Sequence, residues 1–408
     1  MEIETARWLV SPAATAAIAR AATFAEPSSL QAGTALRRDL TPDQAAAVLD
    51  LVALRRRAEK KLGPQAARLF LTRDGLEQAT RWDVARWRAG HLAALGAERV
   101  VDAGCGLGVD ALACRIAGLR VTAIERDPVL AVLAAANLAS DQPGGAAGAT
   151  ATVVCAALET VDLPRDEEQT ALFLDPARRN PYGRSWDVAD LSPSWATVQS
   201  LLERTRGPVV VKLAPGFPRE LLPEDASVTW VSHRGDLVET TLWPGLATGG
   251  TREAVVLAGE HEHRLTAGDD RPAPGPLDRY LYEPDPAVIR AQATGTLARR
   301  VGAHLVAPGL AYLTGGDHVA TPFAEPFEIE EGFPFSERAL RSWARSRNIG
   351  TLEIKTRGQG IDPAQLRRTL RLRGERPALV ILTPTTAGAM VLVAHRLRGS
   401  TGDACGVR

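Results

Sequence analysis

The chain has 408 residues, with 48 lysines and arginines balanced by 48 aspartates and glutamates, so net charge alone points to no acidic or basic partner and only local charge is informative. Its 45% apolar and 24% charged residues fit a folded, soluble protein of two or three domains. No apolar run reaches the roughly 18 residues of a membrane span, Glu2 and Glu4 stand where a secretion signal carries basic residues, and Cys105, Cys114, Cys155 and Cys405 form no C-x-x-C pair, so a cytoplasmic protein with no membrane partner and no metal is expected.

Residues 1–95 read as a helical region. Thr41-Pro42-Asp43-Gln44 supplies an N-cap with proline at the first helical position, and 45–61 continues with Val48, Leu49, Val52 and Leu62 along one side. A second helix is expected over 81–95. Residues 96–250 then alternate short apolar runs with helical stretches. Strands are expected at 99–102, 119–125, 150–155, 170–175 and 208–213, an alternation that implies a parallel, doubly wound sheet. Two more, at 228–232 and 237–243, are joined by a tight turn over 233–236. Residues 251–332 are rich in proline and glycine and read as irregular connection with a helix near 285–300. Residues 333–398 form a small α+β unit with helices at 336–347 and 362–371 and strands at 351–356, 378–382 and 389–395, followed by a loose tail over 399–408.

The first strand ends in Asp102-Ala103-Gly104-Cys105-Gly106-Leu107-Gly108 and a helix follows. No Gly-Lys-Ser/Thr follows the glycines, which excludes a P-loop, and the G-x-G-x-G spacing departs from the dinucleotide fingerprint of nicotinamide oxidoreductases. S-adenosylmethionine suits the loop better. Asp102 is placed to take the ammonium of its amino-acid end, Gly104, Gly106 and Gly108 let the backbone approach without a Cβ in the way, and Glu125 at the second strand tip offers a carboxylate to the ribose hydroxyls. Asp127 either adds to that site or caps the helix beginning at Pro128. Asp110 either reaches the same pocket or faces water at the helix start.

Residues Asp102 to Asp110, Glu125 and the Asp175-Pro176 step resemble the class I S-adenosylmethionine-dependent methyltransferases, which implies a Rossmann-like, mostly parallel sheet. Within them, Leu71-Thr72-Arg73-Asp74-Gly75-Leu76-Glu77-Gln78-Ala79-Thr80 ahead of the loop is similar to the layout of the RNA cap guanine-N2 methyltransferase (trimethylguanosine synthase) family. Lys355-Thr356-Arg357-Gly358 followed by 362–370 resembles a THUMP-like domain, which implies an RNA partner.

The fourth strand runs into Asp175-Pro176-Ala177-Arg178-Arg179. Amine-methylating relatives carry a second proline and an aromatic where Ala177 and Arg178 stand, so stacking on a base is not supplied there. Asp175 and Pro176 remain the expected catalytic pair, accepting or orienting the target group. Arg178 and Arg179 are candidates to hold a phosphate or carboxylate of the acceptor, otherwise being surface charge or partners of Asp187 and Asp190, and Lys212 either touches substrate or forms an ion pair. Trp186 or Trp195 is a candidate stacking face, core packing being the commoner fate of tryptophan. Arginines crowd residues 338–376, where Lys355 and Arg357 are candidate contacts to an RNA backbone. The expectation is a methyltransferase acting on RNA. A small-molecule or protein acceptor, or an RNA-binding protein with little transferase activity, stays open.

Overall fold

The computed structural model describes residues 1–139, 149–163, 169–178, 188–204, 207–243, 250–259 and 261–397. They form two compact units, one of Met1–Ser227 with Thr240–Gly250 and one of Val228–Glu239 with Thr251–Arg408.

The first unit opens with helices α1 (Ile3–Leu9), α2 (Thr15–Ala22), α3 (Leu30–Leu36), α4 (Pro42–Leu62), α5 (Arg73–Gln78) and α6 (Trp82–Ala94). The expected start of α4 is present as a reciprocal capping box, in which Thr41 Oγ1 accepts from Gln44 N and Gln44 Oε1 accepts from Thr41 N. Val48, Leu51, Val52 and Leu62 bury its inner face.

The sheet then builds from β1 (Arg99–Ala103), α7 (Val109–Ile116), β2 (Arg120–Glu125), α8 (Pro128–Ala139), β3 (Ala151–Cys155) and β4 (Thr170–Leu174). It continues through the two-residue strands β5 (Ala177–Arg178) and β6 (Leu191–Ser192) to α9 (Trp195–Arg204), β7 (Val209–Leu213), β8 (Ser227–His233) and β9 (Asp236–Trp243). In this unit the strand order is β3-β2-β1-β4-β7-β9, parallel as far as β7, with β9 antiparallel to it. Every residue of β4 is buried, the mark of a parallel strand covered on both faces. Strand order reverses at β1, with β2 on one side and β4 on the other, all three parallel. A crevice therefore opens at the carboxyl end of β1, where open parallel sheets gather their ligands.

In the second unit β8 turns into β9 through Arg234 and Gly235, both at positive φ (56° and 80°), which gives the expected tight hairpin. β8 pairs in parallel with β10 (Arg252–Ala258), and β10 pairs antiparallel with β11 (His261–Thr266). There follow β12 (Tyr280–Pro284), α10 (Pro286–Arg290), α11 (Thr294–Val301), β13 (His304–Leu305), β14 (Leu313–Gly315), β15 (Ala324–Pro334), α12 (Glu337–Ser346), β16 (Ile349–Thr356), α13 (Pro363–Leu370), β17 (Arg376–Thr385) and β18 (Gly388–Arg396). A seven-stranded sheet runs β13-β14-β12-β15-β18-β17-β16. Its two faces bury separate cores, one around Leu340, Leu352, Leu366 and Val380, the other around Leu281, Tyr312, Phe327 and Ile381.

Residues 251–332 are thus far more regular than expected. The proline and glycine run at 271–276 is flanked by strands whose signal is weak for identifiable reasons. In β15, glutamates interrupt the apolar residues, and β14 is three residues long. The expected helix near 285–300 is two helices, broken at Gln292, which holds a positive φ of 59°. The expected tail lies outside the described residues.

Candidate functional site

The glycine loop folds back over the tip of β2, with Gly104 N and Cys105 N both donating to Ile124 O at 2.9 Å. Gly104 and Gly106 hold φ of 105° and 55°, which side chains rarely adopt, and a Cβ on either would meet no atom within 4 Å. Backbone is exposed here to an open cradle. Gly108 also holds a positive φ, 75°, as α7 begins, while a Cβ there would make only ordinary contact with Ala134 at 3.4 Å. Asn137 of α8 ties the loop to the segment before it. It accepts from Phe70 N at 2.7 Å and donates to Phe70 O and Leu107 O at 3.1 and 2.9 Å.

Asp102 ends β1 between Ala123 and Phe173 and is 2% exposed. Its Oδ2 is buried without a hydrogen-bond partner. Burial, and then the negative charges of Asp110 and Asp175, push this carboxyl well above the ordinary carboxylate range. A buried carboxyl oxygen without a partner is one that a cationic donor would satisfy. Glu125 is also buried, and both its oxygens already serve the loop, Oε2 accepting from Gly106 N at 2.9 Å and Oε1 from Asp127 N at 2.8 Å. Each oxygen retains acceptor capacity for a further donor.

Asp127 caps α8, its Oδ1 accepting from Val129 N and Leu130 N at 2.8 and 3.1 Å. Asp110 turns toward α6. It accepts from Thr80 Oγ1 at 2.7 Å and pairs with Arg88, which is 2% exposed and lies 4.8 Å over the Phe173 ring. Burial, reinforced by Asp102, pushes the Cys105 thiol of the loop and the Cys114 thiol of α7 well above the ordinary thiol range.

Beyond β4, Asp175 Oδ2 meets Lys212 Nζ of β7 at 2.5 Å, and Pro176 is buried beside it. Sequence reading brought these two strand tips together but missed a second cation, Lys61 at the end of α4. Its ammonium donates to Leu76 O and Glu77 O at 2.7 and 2.8 Å. Burial, with the like charges of Lys212 and Arg81, pulls its pKa down to about 8. Nothing local in the sequence marks Lys61 apart from its neighbours. Arg178 lies in β5, paired with Leu191 of β6; Arg179 and Trp186 lie outside the described residues. Trp195 is buried with its ring 5.0 Å from that of Phe217, the core packing weighed against a stacking role.

In the second unit, Lys355 Nζ meets Glu283 at 2.5 Å and Glu325 at 2.8 Å. Burial opposes the charge, yet the two glutamates outweigh it and hold the ammonium above its ordinary value. Arg357 lies 3.8 Å from Glu283 and 5.5 Å over the Tyr312 ring. Both cations therefore stand among carboxylates contributed by β12 and β15.

Residues 324–396 match a THUMP domain-like family, and residues 2–58 match a domain of unknown function. The chain is 36% identical over 362 residues to an uncharacterized S-adenosylmethionine-dependent methyltransferase found in two strains of Mycobacterium tuberculosis, the match covering 85% of this chain and 95% of the relative. Its fold is that of a solved Porphyromonas gingivalis W83 protein named as a methyltransferase, at a TM-score of 0.76 and 24% identity over 93% of this chain and 97% of the other.

Proposed function

The chain belongs to the S-adenosylmethionine-dependent methyltransferases, and from that premise we propose that its acceptor is RNA, methylated at a nucleophilic atom such as a base nitrogen. The THUMP domain-like match over 324–396 carries this reading, since domains of that type accompany RNA-modifying enzymes. The layout of residues 71–80 ahead of the loop, similar to that of the guanine-N2 methyltransferases, supports a base as the target.

S-adenosylmethionine supplies an electrophilic methyl group on a sulfonium. In the proposed arrangement Asp102 accepts from the amino-acid ammonium, which explains an otherwise orphaned acid in the floor of the crevice. Glu125 accepts from the ribose hydroxyls with the lone pairs left over from Gly106 and Asp127. Gly104 and Gly106 present bare backbone, Gly108 sets the turn into α7, and Asp110 and Asp127 hold the surrounding helices in place.

Across the crevice, Asp175 and Pro176 orient the acceptor. Methyl transfer depends mainly on in-line alignment of the two reactants, so positioning supplies much of the acceleration. Lys212, with Arg178 and Arg179, draws in the phosphate next to the target nucleotide, and Lys61 adds charge on the same side.

The acceptor class is tested by supplying purified protein and tritiated S-adenosylmethionine with RNA, protein and small-molecule fractions from cells lacking the gene. Label is expected in the RNA fraction. Label confined to protein or to small molecules would overturn the RNA reading while leaving the methyltransferase intact.

A further inference from the structure

We propose that the second unit grips the RNA backbone through an arginine cluster at the amino ends of β16 and β17, formed by Arg345, Arg371, Arg373 and Arg376. The inference rests on the RNA reading and gives it a surface.

Backbone geometry brings these residues together. The turn after α12 and the loop between α13 and β17 are far apart in sequence yet fastened to one another. Gly374 N donates to Ile349 O at 3.1 Å, and Glu375 N and Arg376 N donate to Asn348 O at 3.0 and 2.9 Å. A Cβ on Gly374 would come 2.2 Å from the Asn348 carbonyl, and one on Gly350 would come 1.8 Å from Gly374 O, so only glycine permits this approach. Arg376 lies opposite Ile349 in the ladder, Arg345 stands in the last turn of α12, and Arg371 caps α13 in a left-handed conformation.

All four side chains are exposed. None has an ion pair among the described residues, although carboxylates lie close in sequence. Most of those carboxylates are otherwise engaged: Glu353 takes Arg396, Glu331 takes Arg347, Glu337 lies 3.9 Å from Arg341, and Asp362 caps α13 by accepting from Ala364 N; Glu375, exposed between Arg373 and Arg376, offsets one of the four charges. This is the reverse of Lys355 and Arg357, whose charge is met by Glu283 within the fold.

A structural explanation covers part of the cluster. A cation at a helix carboxyl end is stabilised by the dipole, which accounts for Arg345 and Arg371. It does not account for Arg373 and Arg376, which lie beyond the helices and add like charge to the same edge. Four unpaired guanidiniums gathered on a fastened backbone suit a polyanion with regularly spaced phosphates, to which each can donate in bidentate fashion.

The test compares the full-length chain with the variant Arg345→Gln/Arg371→Gln/Arg373→Gln/Arg376→Gln in filter binding to total tRNA, over roughly 50 to 200 mM KCl. Each phosphate contact contributes about 0.7 to 0.9 to the slope of log affinity against log salt, so the variant's slope should be shallower by about 3, with binding at least about tenfold weaker. Its affinity for S-adenosylmethionine should be unchanged and its thermal midpoint lowered by no more than about a few degrees, the worth of two helix-end cations, showing that the loss is not one of folding. Wild-type binding with an identical slope in the variant would discard this surface and leave the RNA reading standing. No tRNA binding by the wild type would overturn both, and retention on anionic phospholipid vesicles in place of tRNA would assign the cluster to a membrane partner instead.

Discussion

Asp102→Asn is expected to make the ligand-free protein more stable at neutral pH while weakening S-adenosylmethionine binding by about 10- to 100-fold, the usual worth of a hydrogen bond to a charged group. The two effects share one origin. In the ligand-free chain the Asp102 carboxyl is buried, its Oδ2 lacks a partner, and Asp110 and Asp175 add negative charge nearby. An acid whose pKa is raised on folding contributes stability at low pH, and that contribution is lost as pH rises from the ordinary carboxylate range through the raised value. At neutral pH the fold therefore bears a cost that the neutral amide removes. A bound ammonium removes the same cost by pairing with the carboxylate. Ligand affinity should accordingly fall as pH drops, and binding should release protons to the buffer. Thermal melts with and without S-adenosylhomocysteine, and calorimetry in buffers of different ionisation enthalpy, read both effects. A variant that is less stable without ligand yet binds it normally would remove Asp102 from the cofactor site.

Asp175→Ala is expected to lower kcat by about 100-fold or more, with S-adenosylmethionine affinity little changed. Asp175 follows β4, next to β1, and is about one-third exposed, which leaves it accessible to an acceptor, and its one described ion pair is with Lys212. The substitution removes the group proposed to orient the acceptor and its ion pair with Lys212, but it leaves the tips of β1 and β2 untouched. Single-turnover methylation of the labelled RNA fraction, with donor affinity measured in parallel, separates the two. Unchanged turnover would take Asp175 out of the mechanism, and a parallel loss of donor binding would make its role structural.

The first unit was legible because its signals are local. A buried strand, three glycines, a helix and an acid at the next strand tip follow one another within 24 residues from Asp102 to Glu125, and each carries its own physical reason. Legibility failed where function depends on partners distant in sequence. Asp110 reads as either a pocket acid or a solvated helix start, and its hold by Arg88 and Thr80 of the preceding helical region is not visible locally. Lys61 is one of several cations at the end of α4 until packing sets it near Lys212. Lys355 and Arg357 read as free cations because Glu283 and Glu325, which meet them in the sheet, lie 72 and 30 residues from Lys355. The region 251–332 was misread for a related reason. Its strands pair over long separations, and the glutamates in β15 obscure the alternation that would have disclosed it.

The most direct measurement is a crystal structure of the full chain with S-adenosylhomocysteine. The ligand's amino group is predicted to lie against Asp102 Oδ2 and its ribose hydroxyls against Glu125, over Gly104 and Gly106. Density for the ligand at any other place on the molecule, with that acid still unpartnered, would contradict the account.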